Sequence, residues 1–124
     1  ILGDLNDKRF FWLGHQNNVE NFYSGFDLAL SSSFGEGFSN SIAEAMSCGL
    51  PCVVTNVGDS ALIVGDTGTI VQPNDPDDLV RGITELLKQD YKALGEQCRQ
   101  RILENYSIAK MVKHTESEIL QCVE

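Results

Sequence analysis

Cys52-Val-Val-Thr55 is a four-residue apolar and β-branched run, bracketed by Gly49-Leu-Pro51 before it and Asn56 after it. A strand that alternates apolar and polar side chains buries one face, whereas a strand that is apolar throughout must be covered on both. Phe10-Phe-Trp-Leu13, Leu28-Ala-Leu30 and Thr69-Ile-Val71 are runs of the same kind, each ending near Gly, Ser, Asn or Pro signals. Helical patterns separate them. A short helix is expected at about residues 18–24 and a longer one at about 39–48, where Ser39 and Asn40 can cap, Ile42, Ala45 and Met46 recur at helical spacing, and Gly49 with Pro51 stops the run. Short strands alternating with helices predict an α/β fold, a Rossmann-like parallel sheet flanked by helices.

The C-terminal third reads as helical. Asp75 can cap a helix with Pro76 at its first position, and Leu79, Val80, Ile83, Leu86 and Leu87 make its apolar stripe. A second helix, about Tyr91 to Asn105, carries Leu94, Cys98, Ile102 and Leu103. Ser107 opens a third, with Ile108, Met111, Val112, Ile119, Leu120 and Val123. These stripes are expected to be packing faces. The 124 residues suit one compact domain, 1–124, and 42% hydrophobic content suffices for a core.

Nine basic residues against eighteen acidic ones leave a formal charge of −9. That balance argues against nucleic acid or an anionic membrane surface as a partner of this chain. The four cysteines show no Cys-x-x-Cys pair and no histidine-rich partner set, so reduced thiols are expected, buried in the case of Cys48 and Cys52, and a reducing cytoplasm fits them. No apolar run approaches the ~18 residues of a membrane span.

The chemistry concentrates in Glu36-Gly-Phe-Ser-Asn-Ser-Ile-Ala-Glu44. A glycine-bearing turn followed by a helix leaves the first helical N–H groups without partners inside the helix, and the macrodipole adds partial positive charge there. A phosphate is a natural guest. Glu44 lies one turn past Asn40, and helical side chains lean toward the N-terminus, so its carboxylate is expected beside such an anion. There it makes sense only as an acceptor for hydroxyls attached to the phosphate, a ribose diol or a hexose. A solvated glutamate opposite the apolar face is the plainer alternative.

Flanking motifs narrow the choice. Glu36-Gly-Phe, Glu44-Ala-Met-Ser-Cys-Gly-Leu-Pro, Asn56-Val-Gly-Asp, Gly65-Asp-Thr-Gly and Pro73-Asn-Asp-Pro follow in order. This ordered set, from about Phe10 to Tyr106, resembles the C-terminal, donor-binding domain of the family 4 (group 1) retaining glycosyltransferases, which have the GT-B fold. The resemblance implies that Glu36 accepts hydrogen bonds from a donor sugar and is the catalytic-site carboxylate. It gives Glu44 the nucleotide ribose, the backbone of Gly37, Phe38, Ser39 and Asn40 the diphosphate, and His15 a contact near the donor's base. Many members have a small residue, often glycine, at the Ser39 position.

The implied reaction transfers a hexose from a nucleotide diphosphate sugar to an acceptor hydroxyl with retention and without a bound divalent ion or other cofactor. The acceptor, a glycan or lipid, would be held by an N-terminal domain that this chain lacks, and the chain alone is expected to be inactive. Cytoplasmic location is expected, with peripheral membrane association open for a full-length protein. No Lys or Arg lies between Arg9 and Arg81, so the site has no local cation in sequence. In the family an upstream Arg and Lys serve, and the last helix commonly crosses back onto the other domain. A related GT-B nucleotide-sugar epimerase and a non-catalytic interaction module remain as alternatives. A dinucleotide dehydrogenase and a P-loop ATPase do not, because Gly35-Glu-Gly37 is followed by Phe-Ser-Asn and no Walker lysine is present.

Overall fold

A computed structural model describes residues 10–123. Three strands, β1 (Ala29–Ser31), β2 (Cys52–Thr55) and β3 (Thr69–Val71), form a parallel sheet in the order β1-β2-β3. Ala29 lies opposite Cys52, and Val53 opposite Thr69. Among the described residues there are six α-helices: α1 (Val19–Tyr23), α2 (Asn40–Ser47), α3 (Ser60–Val64), α4 (Pro76–Leu87), α5 (Tyr91–Asn105) and α6 (Ile108–Gln121).

All four residues of β2 are buried, as an uninterrupted apolar run requires. Successive side chains point to opposite faces. Cys52 and Val54 therefore join Ile42, Ala45 and Met46 of α2, Ile63 and Val64 of α3, and Cys98 and Ile102 of α5 in one cluster. Val53 joins Val71 and Leu86 on the other face, where α4 packs. The sheet is covered on both sides, as expected of it.

Caps explain where the later helices begin. Asp75 accepts from the Asp78 N–H at 2.9 Å and Pro76 occupies the first turn of α4. Asp90 accepts from the Ala93 N–H at 3.2 Å and opens α5, and Ser107 accepts from the Lys110 N–H at 3.4 Å and opens α6. The buried Asp78 also accepts from the Gln72 N–H at 2.8 Å, tying α4 to the end of β3, and it holds the Arg81 guanidinium.

Several expectations fail. Phe10–Leu13 is not a strand: β1 pairs only with β2 among the described residues, and without a ladder partner these four side chains stay half-exposed or more. A strand exists only through its neighbour's hydrogen bonds, which a local apolar run cannot supply. Val80 and Leu87 of α4 and Leu103 of α5 are exposed, because each helix touches the body along a narrower stripe than its apolar residues span. Cys48, expected inside, is exposed at the C-terminal end of α2, while Cys52 is buried. On α6 nothing is buried, so Ile108, Met111, Val112, Ile119, Leu120 and Val123 are uncovered. Helix α3 and the 3-10 turn Gly65–Thr67 have no counterpart in the sequence reading, being too short for periodicity to register.

The turn that ends α2 meets α5 at two glycines. A Cβ on Gly95 would overlap the Gly49 carbonyl oxygen and lie 3.1 Å from its carbon, and this neighbour is backbone. Gly95→Ala should therefore lower stability by about 1–3 kcal/mol in chemical denaturation, whereas Gly35→Ala, where a Cβ meets nothing within 4 Å, should change it by less than about 0.5 kcal/mol.

Burial pushes the thiols of Cys52 and Cys98 up, and the thiolate is the reactive form. Because their folded pKa values lie above the unfolded ones, the associated stability is present below the usual thiol range and is lost as the pH rises beyond it. With a thiol reagent at pH 8, Cys48 and Cys122 should react promptly in the native protein, and Cys52 and Cys98 only after unfolding.

Candidate functional site

The carboxyl ends of β1 and β2 open on one edge of the sheet, where parallel α/β folds bind ligands. β1 ends at Ser31 and runs through Ser32 and Ser33 into the loop that carries Glu36, and this loop feeds α2. Ser39 is the N-cap residue of α2 by backbone conformation, yet its hydroxyl makes no cap bond. It is 1% exposed and sits 3.3 Å from the Ser41 hydroxyl. The first turn of α2 thus has no side-chain oxygen over it, unlike α4, α5 and α6. That is the arrangement in which a helix N-terminus can accept an anion.

Two clefts flank α2. One, of about 600 Å³, is lined by Glu44 and Ser41 of α2, by Leu13 to Asn17, and by Phe22, Tyr23 and Phe26. Its chemistry is mixed: aromatic rings able to cover a flat apolar group, His15 and Glu44 as polar groups, and a Tyr23 hydroxyl donating to the Ser41 carbonyl at 3.4 Å. His15 Nε2 lies 3.2 Å from Asn17 Oδ1, and Gln16 Nε2 donates to the Leu13 carbonyl at 2.6 Å, which shapes the rim. Burial chiefly, and next the Glu44 carboxylate, push the Tyr23 phenol above its ordinary value.

The second cleft, of about 540 Å³, is lined by Phe38 and Asn40 on one side and by Asn105, Tyr106, Lys110 and His114 on the other. Sequence reasoning placed Asn40 and Glu44 on one helix face. They are only about 40° apart around the axis, but that face is a ridge, and Asn40 falls to one cleft and Glu44 to the other. Glu36, exposed in its loop, lines neither cleft. His15 and Glu44 are brought together.

The apparent lack of a local cation also changes. Lys110 and His114 of α6 line the cleft that Phe38 and Asn40 border, although some seventy residues separate them in sequence. Lys110 Nζ donates to the Glu104 carbonyl at 2.8 Å. No pattern within α6 announces this placement, because it follows from how α6 leaves α5. Tyr106 is a third residue that sequence reasoning missed: its ring lies 5.6 Å from that of Phe38, tilted at 57°, and its hydroxyl donates to the Leu62 carbonyl at 3.0 Å.

Comparison with known proteins converges on one family. Residues 2–89 match the family described as "Glycosyl transferases group 1". The chain belongs to the group 1 glycosyl transferases. Among curated relatives of this family, it is 32% identical to N-acetyl-alpha-D-glucosaminyl L-malate synthase of Bacillus anthracis, over 90% of this chain and 30% of the relative. It is 30% identical to UDP-Gal:alpha-D-GlcNAc-diphosphoundecaprenol alpha-1,3-galactosyltransferase of Escherichia coli, over 88% of this chain and 29% of the relative. The group 1 chain thus spans less than a third of the length of these relatives. A glycosyltransferase from Rickettsia africae ESF-5 superposes with a TM-score of 0.79 at 23% identity, covering 90% of this chain and 31% of its own. The C-terminal domain of a group 1 family protein from Francisella tularensis superposes at 0.68 with 19% identity, covering 80% of this chain and 53% of its own. Those two likenesses bear on the fold, which is that of a GT-B glycosyltransferase domain.

Glu44 facing Tyr23 is directly testable. In Glu44→Gln the Tyr23 phenol should titrate lower than in the parent, though still above its ordinary value, since burial is the larger cause. Ring-carbon NMR or ultraviolet difference titration reads the midpoint. An unmoved midpoint would show that the two groups do not face each other. The sign for stability follows: the raised phenol supports folding below about pH 10, and this support fades as the pH climbs toward the folded midpoint.

Proposed function

We propose that this domain is the donor-binding half of a retaining glycosyltransferase that takes a hexose from a nucleotide diphosphate sugar. One observation carries the reading: α2 starts without a side-chain cap and carries Glu44 into a cleft walled by Phe22, Tyr23 and His15. A nucleoside fits that combination. Its base has flat faces for the rings, its ribose diol can donate to Glu44, and its diphosphate would lie over the N–H groups of Gly37, Phe38, Ser39 and Asn40. Glu36, at the loop preceding the helix, is then on the side from which the donor's sugar would approach, and we assign it the sugar hydroxyls.

Chemically, the departing diphosphate develops negative charge, and fixed dipoles at a helix start stabilise it without rearranging. No protein nucleophile is assigned. Glu36 would contribute by orienting the sugar ring, with hydroxyl contacts that tighten as the ring distorts. The relatives are named for different products, an N-acetyl-alpha-D-glucosaminyl L-malate synthase and an alpha-1,3-galactosyltransferase. Since the chain spans less than a third of these relatives, we assign the acceptor to the remainder of a longer protein and expect this domain alone to be inactive. Four free thiols agree with a cytoplasmic setting.

The test is titration of the full-length protein with UDP-, GDP- and ADP-sugars and with the free nucleoside diphosphates. Glu44→Ala should weaken nucleoside diphosphate binding by about ten- to a hundredfold, the scale of a lost charged hydrogen bond. Glu36→Ala should leave the nucleoside diphosphate nearly untouched and lower kcat/KM for transfer by about the same factor. If nucleoside diphosphate affinity is indifferent to Glu44→Ala, the ribose role is wrong.

A further inference from the structure

The loop that carries Glu36 has little support of its own. Phe34, Glu36 and Phe38 are exposed, and a Cβ built on Gly35 or Gly37 would meet nothing within 4 Å. A carboxylate that must hold a sugar at one angle cannot hang from a loose loop, since a displacement of about 1 Å at such a site can cost about a hundredfold in rate. Phe38 stacks obliquely on Tyr106, and what fixes the loop around Glu36 itself comes from the end of β2 and the segment that follows it.

Three contacts from one short stretch, Thr55 to Asp59, do this. Thr55, 5% exposed at the last position of β2, donates its hydroxyl to the Ser33 carbonyl at 2.6 Å. The Asp59 N–H donates to the Gly37 carbonyl at 3.2 Å. Between them, Gly58 takes a left-handed φ of 51° and presses on the Glu36 peptide itself: a Cβ there would overlap the Glu36 carbonyl oxygen and lie 2.7 Å from that of Gly37. These neighbours are backbone and cannot swing away. The left-handed φ independently disfavours any side chain. The loop is therefore held just before Glu36, at Glu36 and just after it, all by one turn anchored in the central strand.

We propose that the turn Asn56 to Asp59 is the positioning element of the sugar-facing loop, with Gly58 and the Thr55 hydroxyl setting where the Glu36 backbone sits. This rests on the assignment of the donor sugar to Glu36. Neither Gly58 nor Thr55 needs to touch the donor. They act through the Glu36 loop, and the nucleoside cleft around Glu44 and Tyr23 lies on a different flank of α2.

The experiment uses the full-length protein with UDP, GDP and ADP and with UDP-glucose, GDP-mannose and ADP-glucose as probes. It reads the ratio of nucleoside diphosphate Kd to nucleotide-sugar Kd, together with hydrogen exchange at the Asp59 amide. In Gly58→Ala and Thr55→Val this ratio should fall about tenfold, and any rise in nucleoside diphosphate Kd, through the Gly37 N–H of the same loop, should be smaller than the rise for the nucleotide sugars. Thr55→Ser, which keeps the hydroxyl, should retain the parent ratio. The Asp59 amide should exchange faster in Gly58→Ala, because its acceptor at Gly37 has moved. A folded Gly58→Ala with the parent's ratio and the parent's Asp59 protection overturns the proposal. If that variant does not fold, the Thr55 pair decides, and equal ratios in Thr55→Val and Thr55→Ser overturn it. Glu36→Ala serves as the reference. Should it leave the ratio unchanged, the sugar role of Glu36 fails, and with it the premise; should it lower the ratio while the turn variants do not, only the positioning role fails.

Discussion

Burial of β2 on both faces is the constraint from which the rest of this domain follows. Four consecutive residues with no solvent-facing side demand a layer above and a layer below, and their alternating directions distribute them between two clusters. α2, α3 and α5 supply one layer and α4 the other. Because the sheet is parallel, every strand ends at the same edge, so Ser31, Thr55 and Val71 deliver their following loops to one place. The site is there for that reason.

The same strand also links core and chemistry. Its last residue bonds the loop that carries Glu36, and the turn after it packs on that loop's backbone. On the far side α2 is held against α5 by the contact of Gly49 and Gly95, and Arg99 donates to the Ser47 carbonyl at 2.7 Å, where the negative end of the helix favours a cation. Arg101 donates to the carbonyls of Ile63 and Leu62 at 2.8 Å each, and so ties α5 to the short helix beside the site. Arg99 and Arg101 of α5 thus hold the ends of α2 and α3 in place.

Much of this was legible locally. β2, β3, α4 and α5 begin and end close to where turn, cap and proline signals put them, since those signals act within a few residues: Asp75 bonds Asp78, and Asp90 bonds Ala93. Glu44 could be singled out from its place on the helix and His15 only through the family resemblance, and the two do share a cleft. The failures are all non-local. Phe10 to Leu13 has strand composition but, among the described residues, no partner strand, Val80 and Leu103 have helical periodicity but no surface to cover them, and Cys48 lies just outside the core that encloses Cys52.

By itself, then, the sequence determined the α/β alternation, the parallel sheet with two covered faces, a helix after a glycine turn, and the group 1 kinship, but not that Ser39, a capping residue by type, leaves that helix without a side-chain cap. Each depends on residue type at short range. Only the tertiary structure decided that Asn40 and Glu44 face different clefts, that Lys110 and His114 reach the start of α2, and that Gly58 sets the Glu36 loop. Those are meetings of residues some twenty to seventy positions apart, fixed by which backbones pack against which, and no pattern along the chain encodes a close approach in space.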